Sequence, residues 1–291
     1  MITRRQLTTG ATAALLLSAL PSARAGTAST ALERYFASIA AKSGGRLGVA
    51  MLDTGSGLTA AFNGDERFPL CSTFKWLAAA AILARVDAGA DSLGREIEIR
   101  PDDIVTYSPE TETHVGGAMT LAAICAAAIT LSDNTAGNLM LASLGGPDAV
   151  TAYARSLGDT ATRLDRAETA LNDVAPGDPR DSTTPNAMAG DLRAVLVDDA
   201  LTARSKEQLI AWLIANKTGD ARLRAGLPKA WRVGDKTGSC NAGTANDVAI
   251  AWPPDRVPVL IAAYLTDSSA SREAQNAALA DVGRAVAAAI G

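Results

Sequence analysis

The chain has 291 residues, 48% of them apolar, and a formal net charge of −4 at pH 7. That length supports a large core, in one domain or two interlocked ones. A net acidic balance without any Lys/Arg block argues against nucleic acid or an anionic membrane surface as partners. The sequence has one histidine, which excludes HExxH zinc sites and multi-histidine metal centres, and no metal or organic cofactor is implied. A Ser-His-Asp triad would have to use His114, with no GxSxG elbow to accompany it. His114 therefore reads as a loop or surface residue, and a hydrolase built on this chain would take its base from a carboxylate or a lysine.

Residues 1–25 read as an export signal: Arg4 and Arg5, an apolar run over 11–20, then the small-x-small site Ala23-Arg24-Ala25. The apolar run is too short to span a bilayer as a helix, so a secreted, periplasmic bacterial protein without a membrane anchor is expected. Thr3-Arg4-Arg5-Gln6-Leu7 resembles a twin-arginine export motif, although Arg pairs also occur in ordinary secretory signals. In an oxidising compartment, three cysteines sum to one disulfide and one leftover thiol. The spacing next predicts a helix over about 28–41 and two strands over 47–52 and 58–62, joined by a Gly-rich hairpin. Helices follow over about 72–87, 120–129, 135–142, 146–157, 185–197 and 206–215. Strands return over 231–233, 247–252 and 259–266, and a last helix covers 271–290. Strands at both ends with helices between them predict an α/β fold. Its antiparallel sheet is built from both termini and flanked by helices, with an all-α domain inserted. The expected division is 26–62 with 216–291 as the α/β domain and 63–215 as the all-α domain, which carries a long loop near 163–181.

Four short strings carry chemistry. Ser72-Thr73-Phe74-Lys75 places a hydroxyl and an amine on one face of a helix start, where free N–H groups favour developing negative charge. About one S-x-x-K is expected by chance in a chain of this length, so the string alone fits an N-cap and a solvated lysine equally well. Ser132-Asp133-Asn134 could relay a proton and bind a substrate amide, or simply cap a helix. Arg166-Ala167-Glu168-Thr169-Ala170-Leu171-Asn172 sets a carboxylate and an amide four apart, able to hold one water between them. Arg166 and Asp181 could close that loop as an ion pair. Lys-Thr-Gly occurs twice. Lys217-Thr218-Gly219 follows a helix, so its glycine reads as a C-cap. Lys236-Thr237-Gly238 lies in a strand-like stretch, where glycine admits a ligand to the backbone and Lys236 and Thr237 can hold a carboxylate.

In this order, S-x-x-K, S-D-N, E-x-x-L-N and K-T-G resemble the class A serine β-lactamases, over essentially the whole mature chain. The resemblance implies that Ser72 attacks the lactam carbonyl, with an oxyanion hole from the N–H groups of Ser72 and Ser239. Lys75 and Ser132 would move protons, and Glu168 with Asn172 would activate the water that clears the acyl-enzyme. Whether Lys75 or Glu168 is the acylation base stays open. Lys236, Thr237 and Ser239 would bind the substrate carboxylate, Gly238 would let the ligand close on the strand, Asn134 would bind the acyl amide, and Tyr107 would stand at the cleft mouth. Many members carry an arginine on the strand after K-T-G. Thr244-Ala245-Asn246-Asp247 has none, and Arg222 matches a position where others place a substitute.

Cys71 and Cys240 adjoin two motifs that must converge on one substrate, so a disulfide is expected between them, with Cys125 left over. Cysteines at both positions resemble the carbapenem-hydrolysing branch. The resemblance further implies a monomer acting on small-molecule β-lactam substrates and inhibitors. A penicillin-binding D,D-peptidase or β-lactam sensor shares S-x-x-K and K-T-G but generally lacks a Glu168-like water activator.

Overall fold

The computed structural model describes residues 20–291; residues 1–19 of the expected export signal lie outside the described residues. The chain order begins with α1 (Leu20–Ala40), β1 (Arg46–Asp53), β2 (Thr59–Phe62) and β3 (Phe68–Pro69). A 3₁₀ turn at Cys71–Thr73 then feeds α2 (Phe74–Asp87). β4 (Glu96–Glu98), β5 (Ala118–Thr120), α3 (Leu121–Thr130), α4 (Asn134–Leu144), α5 (Pro147–Ser156) and β6 (Ser182–Thr183) follow. The remaining elements are α6 (Pro185–Leu196), α7 (Ala203–Ile214), α8 (Leu223–Gly226), β7 (Arg232–Cys240), β8 (Thr244–Trp252), β9 (Val259–Thr266) and α9 (Arg272–Ile290).

The five long strands form one antiparallel sheet in the order β2-β1-β9-β8-β7. Strands from the two ends of the chain meet where β1 pairs β9, Arg46 opposite Thr266 through Asp53 opposite Val259. The period-2 alternation assigns the faces. Val49, Met51, Ile261, Ala263 and Leu265 pack with Leu32 and Phe36 of α1 and Leu279, Val282 and Val286 of α9. Ala50, Val248, Ile250, Leu260, Ala262 and Tyr264 face the other way, into the core shared with the middle helices. Because β9 is covered on both faces, all eight of its residues are buried and its sequence reads as a continuous apolar run.

At the centre of that second core runs α2, buried from Phe74 to Leu83. A helix apolar all round belongs in an interior, and α2 meets α3, α4, α5 and α7 there. Side-chain caps start its neighbours: Thr120 accepts from Ala123 N–H, Asp133 from Ala136 N–H and Thr184 from Ala187 N–H. α4 stops at Gly145, whose φ of 102° suits glycine alone.

Three sequence expectations are corrected. α1 already runs from Leu20, the first described residue, ahead of position 28. β7 runs to Cys240, far past Val233. Its Gly234, Asp235, Lys236 and Gly238 disfavour strands, and pairing with β8 over nine residues overrides that preference. Gly219 is not a C-cap, since α7 ends at Ile214 with Ala215 as its cap. Gly219 instead packs against the Asp235 carboxylate, where any Cβ would collide. Among the described residues no helix is long and apolar enough to cross a membrane.

Candidate active site

Ser72, the candidate nucleophile, stands where the 3₁₀ turn enters α2. Ser72 Oγ accepts from Lys75 Nζ at 3.0 Å and donates to Glu168 Oε1 at 3.0 Å. Lys75 Nζ lies 3.0 Å from the same Glu168 oxygen, with both side chains fully buried. Nζ also donates to the Ser132 carbonyl at 2.8 Å and to Asn134 Oδ1 at 2.7 Å. The three-residue spacing of Ser72 and Lys75 puts both on one helix face. Gly137 of α4 leaves room for the lysine, because a Cβ there would stand 2.8 Å from Lys75 Cε.

Glu168 arrives on the 163–181 loop. Asp181 closes that loop by accepting from the Asp165 and Arg166 N–H groups at 2.7 and 2.9 Å and from Arg166 Nε at 2.6 Å. Asn138 of α4 pins the carboxylate's own backbone, accepting from Glu168 N–H and donating to Glu168 O, each at 2.8 Å. Asn172 Nδ2 donates to Glu168 Oε2 at 2.5 Å. One carboxylate oxygen is thus held by an amide while the other faces the serine and the lysine.

Opposite stands β7, the free edge of the sheet. Lys236 Nζ donates to Ser132 Oγ at 3.0 Å and to Thr237 O at 2.8 Å. A Cβ at Gly238 would come within 2.9 Å of Leu70 O and 3.2 Å of Thr73 N, so only glycine lets this strand lie against the turn that carries Ser72. Arg222 is buried behind the strand, donating to Gly238 O at 2.8 Å, Asn246 O at 2.6 Å and Ser239 Oγ at 2.6 Å. Cys71 and Cys240 are joined by a disulfide with a Cα–Cα distance of 5.7 Å. Cys125 is a buried free thiol, held well above the usual thiol pKa by burial.

Ser72, Ser132, Asn134, Asn172, Arg222, Thr237, Gly238 and Ser239 line one open cleft of about 310 Å³, with the exposed Tyr107 at its mouth. Four sequence motifs far apart along the chain therefore share one cavity with Ser72.

A model of the β-lactamase enzyme family matches residues 31–290. The β-lactamase AST-1 of Nocardia asteroides is 52% identical over 265 residues, covering 91% of this chain and 86% of the relative. The chain belongs to the class A β-lactamase family. CTX-M-8 of Citrobacter amalonaticus is 47% identical over 255 residues, 88% of each chain. A solved ancestral (GNCA) class A β-lactamase superposes with a TM-score of 0.88 at 59% identity, over 89% of this chain and 99% of that one.

In this class A β-lactamase cleft the buried charges govern one another. Burial pushes the Lys75 ammonium below the ordinary lysine range, and the adjoining Glu168 carboxylate opposes that shift. Lys236 falls well below the same range through burial and through the like charge of Lys75, with Asp235 opposing. Burial raises Asp247 well above the carboxylate range, and the neighbouring Asp235 reinforces this, with Arg222 opposing. Asp235 itself is paired with Arg224.

Sequence reasoning missed several residues that build the site. Asn138 and Asn246 are the anchors, Asn246 donating to Pro69 O at 2.8 Å beside the turn that carries Ser72. Their signal, a lone buried asparagine, is invisible without the fold. Thr218, expected at a helix end, lines the cleft, its Oγ1 standing 2.5 Å from Thr237 Oγ1. The repeated Lys-Thr-Gly was the available signal. Asn134 differs in part from the expectation of a free amide-binding group: its Oδ1 accepts from Lys75 and its Nδ2 donates to Thr106 O at 2.8 Å. One N–H of Nδ2 remains for a ligand.

Proposed function

We propose that this chain hydrolyses β-lactams through an acyl-enzyme on Ser72. The contact that carries the reading is Glu168 Oε1 at 3.0 Å from both Ser72 Oγ and Lys75 Nζ. Ser72 loses its proton to this buried pair as Oγ attacks the lactam carbonyl, with Lys75 and Glu168 both in reach of it. The N–H groups of Ser72 and Ser239 receive the charge that develops on the carbonyl oxygen. Ser132, accepting from Lys236 at 3.0 Å, has its own O–H free to protonate the departing lactam nitrogen. Glu168, steadied by Asn172, then draws a proton from the water that cleaves the ester. Lys236, Thr237 and Ser239, backed by Arg222, hold the substrate carboxylate. Asn134 takes the acyl amide, and Tyr107 flanks the entrance. The protein is secreted to the periplasm and acts as a monomer.

Penicillins and cephalosporins are the general substrates of this reading, and carbapenems are its finer part. The carbapenem reading rests on the Cys71–Cys240 disulfide beside the nucleophile and on the Ser239 hydroxyl held by Arg222. The relatives' names specify no carbapenem. An intact-mass time course with excess imipenem, followed with the drug's absorbance, tests both parts. An adduct that forms and vanishes as the drug is consumed is expected. A persistent imipenem adduct removes the carbapenem part, and a persistent benzylpenicillin adduct would move the assignment to a penicillin-binding protein.

Lys236 also sets an alkaline limit. Its lowered pKa means the charge is lost as pH rises, at a lower pH than for an ordinary lysine. KM for carboxylate-bearing substrates is expected to climb on the alkaline side, starting below pH 10.5. Lys236→Arg, charged throughout, should move that climb to higher pH. Identical KM–pH profiles for the two proteins would remove Lys236 from carboxylate binding.

A further inference from the structure

The Thr237 hydroxyl does not choose its hydrogen-bond direction freely. Thr218 N–H, an obligate donor, stands 3.0 Å from Asn216 Oδ1, which fixes that atom as the amide oxygen. The Asn216 nitrogen correspondingly donates to Asp235 Oδ2 at 2.6 Å, both residues being buried. Thr218 Oγ1 lies 2.8 Å from the same Asn216 oxygen, which only accepts, so the single proton of the Thr218 hydroxyl points there. In the 2.5 Å contact between Thr218 Oγ1 and Thr237 Oγ1, Thr237 is therefore the donor. Its proton is turned toward Thr218, and its lone pairs are what an entering carboxylate would meet.

Two hydroxyl rotations reverse this. Thr237 O–H swings to the ligand, and Thr218 O–H swings from Asn216 to Thr237 Oγ1. Asn216 Oδ1 keeps the Thr218 N–H, so no buried acceptor is stranded. No covalent bond changes and no proton leaves its oxygen. A hydroxyl that accepts a hydrogen bond is also the stronger donor.

We propose that Thr218 is a positioning residue for substrate binding: a reversible hydroxyl donor behind Thr237 that allows Thr237 to donate to the substrate's carboxylate. This rests on the β-lactam reading above. It gives Lys217-Thr218-Gly219 a part in the cleft, the second Lys-Thr-Gly strand being served by a threonine from the first.

The test is steady-state kinetics of the wild type, Thr218→Val and Thr218→Ser on benzylpenicillin and on its methyl ester, which lacks the anion. Thr218→Val keeps the shape and removes the donor. It is expected to raise KM for benzylpenicillin about two- to tenfold with kcat within about threefold, as for one neutral hydrogen bond. KM for the ester should be unmoved, and Thr218→Ser should restore the wild-type value. An unchanged KM in Thr218→Val, an equal rise on both substrates, or failure of serine to rescue overturns the inference. Absence of turnover by the wild type would overturn the β-lactam reading together with it, so the two failures are distinguishable.

Discussion

Glu168→Ala is expected to accumulate a covalent adduct on Ser72 with benzylpenicillin, while kcat falls about 10²–10⁴-fold, the range a positioned general base supplies. The physical case is the division of labour at Oε1, which reaches both Ser72 Oγ and Lys75 Nζ at 3.0 Å. Removing the carboxylate leaves Lys75 in contact with the nucleophile. It also strips away the charge that opposes the lysine's desolvation, so its pKa falls further. Lys75 could then serve as the acylation base, whereas the Asn172 amide, having lost its partner at 2.5 Å, cannot activate water by itself. Intact mass on mixing checks this: an adduct stable over many wild-type turnover times is the expected result. No adduct at all would make Glu168 the acylation base as well, and undiminished turnover would remove it from the reaction.

Cys240→Ser is expected to lower stability by about 2–5 kcal/mol, a melting shift on the order of 5–15 °C. The bond closes a long loop, 169 residues in sequence separation, which is where cross-linking restrains the unfolded chain most. It has a local role too. Cys71 sits at φ +44°, a left-handed conformation that costs a non-glycine residue of order 1–3 kcal/mol and persists only where the surroundings enforce it. Cys71 leads directly into Ser72, and Ser132 at φ +59° and Tyr107 at φ +65° border the same cleft. Thermal melting with and without reductant is the check. The wild type should drop to the level of the variant on reduction, and the variant should not respond. Equal melting of oxidised wild type and Cys240→Ser would show that the link contributes nothing to stability.

Both outcomes turn on residues that were readable before the fold was seen. Ser72, Lys75, Ser132, Glu168, Lys236 and Thr237 were legible because each sits in a short string whose internal spacing already performs a geometric task. Ser72 and Lys75 share a helix face, and Glu168 and Asn172 lie one turn apart around the 3₁₀ turn at Ala170–Asn172. The long strands and most helices were legible for a similar reason, since their periodicity is local. β7 was not, because its glycines and charges favour a strand only once β8 lies alongside. The short pairs β3–β6 and β4–β5 escaped because two- and three-residue strands carry no periodicity.

What the sequence by itself determined is the chemical inventory and its order: a serine with its lysine, a carboxylate with its amide, a basic strand, and two cysteines beside the motifs that must meet. Covalent spacing sets these, and no packing is needed to read them. Only the tertiary structure decided the orientations. It set Asn138 on the Glu168 backbone and set Asn246 beside the turn that carries Ser72. It also brought Thr218 across to Thr237. Those contacts join residues tens to hundreds of positions apart. They exist because antiparallel pairing of chain ends and burial of α2 bring the segments together, and no local pattern encodes which asparagine or threonine will face the cleft.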